Sequence, residues 1–229
     1  MTEDPLTGTG LPPFSVRDCA HTALATGIHA EDLKELRDGL ARAPLGSLYQ
    51  HFWARLLRPQ FDEPEYNNDF ASWAYHGLHD KVLAERLAVI DPAGFEGLES
   101  LRQEVIEVLE ERLDDGPSAS WSNADQPFFF VQSQIVVFDT GLRLSSPSEL
   151  ASAVAELSTG SIFYHFIDAR RRTPDRRDDF ALWLSAFGEP CASVAQELAR
   201  VDPYFSSLKE VRRILADILG RHCGRETDQ

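Results

Sequence analysis

"GSLYQHFWARLL" (Gly46–Leu57) and "GSIFYHFIDARR" (Gly160–Arg171) are two versions of one pattern, 114 residues apart, with a histidine at the same place in each. Outward from these stretches the two halves stay in register without a gap from Phe14/Phe128 to Phe52/Phe166. Thr26-Gly27 falls on Thr140-Gly141, Glu35-Leu36 on Glu149-Leu150, and His51 on His165. After the histidine the first half carries four additional residues. The register then resumes at "NDFASW" (Asn68–Trp73) against "DDFALW" (Asp178–Trp183). It continues through "LAVIDP" (Leu87–Pro92) against "LARVDP" (Leu198–Pro203) and closes with "LESLRQEVIEVL" against "LKEVRRILADIL". A repeat of about 95 residues is too long for a solenoid turn, so the pattern predicts a duplicated domain.

Each half predicts the same elements. Phe14 to Thr26 and the β-branched, aromatic run Phe128 to Phe138 read as strands stopping at Thr-Gly turns. Leu33, Leu36 and Leu40, matched by Leu150, Val154 and Leu157, have the spacing of one helix face. Ser146, Pro147 and Glu149 form a capping-box start. Ser47 and Ser161 read as N-caps of the histidine helix, and Asp69 and Asp179 as caps of the next. A lone strand leaves its backbone groups unpaired, so each half's strand needs the other's. The predicted fold is α+β and mostly helical: two pseudo-symmetric tandem units, each one strand followed by about five helices, with the strands pairing antiparallel between units. The expected boundaries are a disordered tail over 1–12, a first unit over 13–113, a linker over 114–126, a second unit over 127–220 and a tail over 221–229.

The chain has 229 residues and a net charge of −15, which disfavours nucleic acid and anionic membranes as partners. Three scattered cysteines (Cys19, Cys191, Cys223) suit a reducing, cytoplasmic compartment rather than a disulfide framework. The acidic, Gly/Pro-rich start is unlike a signal peptide, and no apolar run reaches the roughly 20 residues of a membrane span.

The candidate chemistry is sparse. His51 with Asp69, and His165 with Asp179, could form His–Asp hydrogen bonds that fix an imidazole tautomer for acid/base work. No nucleophile or oxyanion device accompanies them, which favours a structural tie between helices. His76 and His79 share a helix face and could complete a metal site with His51 and Asp69, but the spacing is looser than that of metal motifs. No metal or other cofactor is therefore assigned. Arg170, Arg171, Arg172, Arg176 and Arg177 form the one dense basic run, a candidate site for an oxyanion or acidic partner.

The two "SLYQHF…NNDFASW" and "SIFYHF…DDFALW" segments resemble an uncharacterised prokaryotic, bacterial-type domain family marked by a Ser-Ile-Tyr-Tyr-His helix followed by Asn-Asp-Phe-Ala-x-Trp. Its members carry further histidines where this chain has Trp53 and Arg58. The resemblance implies the fold and brings no activity with it. The function expected is a non-enzymatic interaction or accessory protein with a groove between its repeats, receiving a protein or a small anionic ligand. The alternative is a small hydrolase or metal-dependent enzyme centred on His51, Asp69 and His76/His79.

Overall fold

The computed structural model describes residues 11–58, 65–116, 123–189, 191–204 and 206–223. Residues 1–10 of the expected N-terminal tail, 117–122 of the expected linker and 224–229 of the C-terminal tail lie outside these residues.

Two strands organise the chain. β1 (Phe14–Ala30) and β2 (Phe128–Leu144) pair antiparallel as a two-stranded sheet. Both run beyond the Thr-Gly pairs at which the sequence predicts a stop. Gly27 and Gly141 adopt φ values of 77° and 79°, which only glycine adopts freely, so each strand kinks instead of ending. The preceding threonines patch the interrupted ladder. Thr26 Oγ1 donates to the Phe130 carbonyl at 2.6 Å and Thr140 Oγ1 to the Val16 carbonyl at 2.7 Å.

After β1 come α1 (Leu33–Arg42), α2 (Leu45–Phe52), a 3-10 turn (Ala54–Leu57), α3 (Asp69–His76), α4 (Lys81–Ala88) and α5 (Leu98–Asp114). After β2 come α6 (Pro147–Val154) and α7 (Thr159–Ile162), which passes through a π-helical turn (Phe163–Asp168) into α8 (Ala169–Arg172). Next are α9 (Asp179–Leu184), α10 (Cys191–Ala199) and α11 (Leu208–Cys223). At α6 Ser146 caps the helix as predicted, accepting the Glu149 N–H, while Glu149 reaches back one residue past the cap and accepts the Ser145 N–H at 2.6 Å.

The chain forms two compact units, one of residues 21–135 and one of residues 1–20 with 136–229. The first therefore contains the end of β1 and the start of β2, and the second contains the start of β1 and the end of β2. In the 21–135 unit, Phe128 and Phe130 of β2 are buried with Leu36, Leu48, Phe52, Phe70 and Leu83. Phe128 stacks on Phe70 with ring centroids 5.1 Å apart. In the other unit, Phe14 and Val16 of β1 are buried with Leu150, Phe166, Phe180, Val194 and Leu215. Phe14 meets Phe180 at 5.4 Å. Each such ring contributes about 1.5–3 kcal/mol of burial. The exchange is thus held by hydrophobic area. Among the described residues no helix is long and apolar enough to cross a membrane.

Candidate functional site

Each unit holds its borrowed strand with the repeated Gly-Ser-x-x-x-His segment. Ser47 is not the cap of α2 but its third residue, which puts it one turn before His51 on the same face. Ser47 Oγ donates to the Val131 carbonyl at 3.0 Å, and His51 Nε2 accepts the Val131 N–H at 3.3 Å. Two side chains of one helix thereby satisfy both backbone groups of one strand residue, as a neighbouring strand would. In the other unit His165 Nε2 accepts the Arg17 N–H at 2.8 Å. Ser161 is instead bonded to Ser158, the residue that caps α7. Gly160 allows the strand to approach: a Cβ there would lie 2.5 Å from the Cys19 carbonyl oxygen and collide with Asp18 as well.

The other imidazole nitrogen of each histidine faces a carboxylate. His51 Nδ1 is 2.8 Å from Asp69 Oδ2, and His165 Nδ1 is 2.8 Å from Asp179 Oδ2. Since Nε2 accepts a backbone N–H, the proton of the neutral ring is on Nδ1 and is donated to the aspartate. The helix caps are Asn68 and Asp178, one residue earlier than the sequence suggests, and this leaves Asp69 and Asp179 free to take the histidines. Arg55 Nε donates to Asp69 Oδ1 at 3.1 Å, with Arg58 3.8 Å from Oδ2. Burial pushes the Asp69 carboxyl up, but the His51 hydrogen bond and the Arg55 and Arg58 charges together hold it below the ordinary aspartate range. Arg172 Nη2 donates to Asp179 at 3.1 Å.

An open cleft lies beside each histidine. In the 21–135 unit it measures about 500 Å³ and is lined by residues that include Arg58, Asp69, Ser72, Trp73, Asp125 and Phe128. In the other unit it measures about 440 Å³, with Arg172, Asp179, Leu182, Trp183 and Phe14 at the corresponding places. Trp73 Nε1 donates to the Gln126 carbonyl at 2.7 Å, and Trp183 Nε1 to the Pro12 carbonyl at 3.1 Å. The tryptophans so fix the chain just before each strand begins.

The other candidate residues separate. His79 pairs with Asp125 at 2.7 Å, His76 approaches Glu65 at 3.5 Å, and His51 has Asp69. Among the described residues no group of three His, Cys, Asp or Glu side chains could hold a metal ion. Four of the five arginines are bonded within their own unit. Arg170 donates to the Leu198 and Val201 carbonyls, and its guanidinium lies 4.3 Å over the Phe166 ring. Arg171 and Arg172 share Asp168, and Arg177 donates to the Ala181 carbonyl and to Ser185 Oγ. Arg176 is exposed. No motif marks Arg55 or Arg58 in the sequence; the one signal for Arg58 is its register with Arg172.

Fold and site together define a helical protein in which a two-stranded ribbon is anchored at each end by a histidine. The chain belongs to a family of unknown function, DUF5752, whose model matches residues 11–220. It is similar to the solved structure of OrfY from Thermoproteus tenax, with 30% identity and a TM-score of 0.74 over 92% of this chain and 95% of that one. No curated protein matches it.

Proposed function

We propose that the protein is a non-enzymatic binding or accessory protein, with the open cleft of each unit as the place where an extended segment of a partner protein docks. The observation that carries this reading is the bonding of the histidines. Both ring nitrogens of His51 and of His165 are taken up by the fold, so neither ring has a free lone pair to act as a general base. The cleft walls mix aromatic rings with charges of both signs, a lining that suits a peptide better than a small apolar molecule. A cytoplasmic setting is in keeping with three cysteines that are scattered along the chain and buried. The hydrolase alternative has less support, because His51, His76 and His79 each face a different carboxylate.

The test uses Ser72→Tyr with Leu182→Glu, corresponding positions on the cleft walls outside the histidine ties. A displayed peptide library is panned on wild type and on the double variant, with melting curves to check folding. Wild type should enrich peptides that the folded double variant does not hold. Absence of wild-type enrichment would overturn the reading. So would turnover of an ester, phosphoester or glycoside substrate that His51→Gln abolishes.

A further inference from the structure

Asn68 and Asp178 are corresponding N-caps, of α3 and α9, and both are buried. Asn68 uses its whole amide. Oδ1 accepts the Ala71 N–H at 2.8 Å, while Nδ2 donates to the Leu87 carbonyl at 3.0 Å and to Asn67 Oδ1 at 2.9 Å. Asp178 Oδ1 likewise accepts the Ala181 N–H, at 2.8 Å. Its other oxygen, Oδ2, is buried and has no hydrogen-bond partner among the described residues. The nearest cation, Arg170 Nη2, is 4.0 Å away and donates to the Leu198 carbonyl, the counterpart of Leu87. Where the first repeat places an N–H, the second places a bare oxygen. An ionised carboxylate there would be a buried charge with one oxygen unsolvated.

We propose that Asp178, standing where the first half has Asn68, carries a proton in the folded protein at mildly acidic pH, and that loss of this proton toward neutral pH loosens the start of α9. Asp178 is then a pH-sensitive latch. α9 begins with Asp179, which holds His165, and it carries Trp183, which lines the cleft of that unit. The charged groups acting on Asp178 are Arg170 of α8 and the adjoining Asp179. Burial pushes the Asp178 carboxyl up to about 6, against the pull of the Ala181 N–H and of Arg170, and Asp179 adds to the rise. A carboxyl raised on folding stabilises the protein fully below its unfolded value and loses that contribution as pH climbs through the folded value. The affected window is therefore about pH 4 to 6.

Asp178→Asn tests this, because it installs the cap of the first repeat without a titrating group. Melting temperatures of wild type and variant are compared from pH 4.5 to pH 8, so that every other titration cancels. The variant should melt several degrees above wild type at pH 8, and the gap should close toward pH 4.5. The reciprocal Asn68→Asp should create the same loss of stability with rising pH in the other unit. Carboxyl carbon-13 shifts compared between wild type and Asp178→Asn read the proton directly. Parallel melting profiles for wild type and Asp178→Asn, or an Asp178 carboxyl that titrates near the ordinary value of 3.8, would overturn the proposal.

Discussion

His51 Nε2 accepts the Val131 N–H at 3.3 Å, and the same ring donates from Nδ1 to Asp69 at 2.8 Å. A His–Asp pair usually suggests acid/base chemistry when the far nitrogen is free to meet a substrate. Here the far nitrogen meets a strand. The aspartate still fixes the tautomer, but it does so to keep Nε2 an acceptor for a backbone amide.

Removing such a ring should therefore cost stability. His165→Ala leaves the Arg17 N–H without its acceptor, leaves Asp179 Oδ2 with Arg172 alone, and opens space beside Phe14. A loss of about 1–3 kcal/mol follows from the unmade buried bonds. In a chain of this size each kcal/mol lowers the melting temperature by roughly 2–4 °C. Calorimetry on the purified variant reads the shift, and an unchanged melting temperature would count against a structural histidine.

The residues before the histidine should rank by what the strand requires of them. Ser47→Ala strips one bond from the Val131 carbonyl and should cost about 1 kcal/mol. Gly160→Ala should cost more, since the added carbon meets the Cys19 backbone, which cannot give way as the Asp18 side chain can. Gly94→Ala, with open space around it, is the control expected to be near neutral. Denaturant midpoints should fall least for Gly94→Ala, further for Ser47→Ala and furthest for Gly160→Ala.

Much of this architecture can be read along the chain, because apolar spacing and helix caps are local signals. The helices and the pairing of two strands follow from it. The exchange of strand halves does not, since nothing in "FFFVQSQIVVF" distinguishes packing on Phe70 from packing on Phe180. The histidine's partner was hidden for a different reason: Val131 binds through its backbone, and backbone groups carry no residue identity. Thr26-Gly27 looks like a stop because glycine supplies the positive φ that turns require, and the same φ serves for a kink within a strand. The arginine run looked free to bind because its carbonyl partners, such as Leu198 and Val201, lie about 30 positions later.

Asp69 should respond to acid in the sense opposite to Asp178. Its carboxyl is held below the ordinary aspartate range despite its burial, so its stabilising contribution is present above the unfolded value and lost as pH falls through the folded one. Asp69→Asn should therefore be less stable than wild type at neutral pH, and the two should converge as pH is lowered past the aspartate range. Urea midpoints at pH 7, 5 and 3 give the comparison. A difference that grows toward pH 3 would contradict the assignment.

Cys19 offers a readout of the same strand anchor without mutation. It lies on β1 against α7, where Sγ approaches the Gly160 carbonyl at 3.3 Å. Burial pushes its thiol up to about 12, and the neighbouring Asp18 and Asp168 carboxylates add to the rise. The thiolate is the reactive form, so at pH 8 the native thiol should be nearly inert to iodoacetamide. It should react only when β1 leaves α7, at a rate set by the fraction of molecules in which the strand is detached. Mass spectrometry of the Cys19 peptide after timed alkylation gives that fraction. His165→Ala should speed Cys19 labelling several-fold under native conditions, because it removes the bond from Arg17 that holds the same strand segment. Labelling of Cys19 as fast as that of an unfolded control would show that the strand is not anchored there.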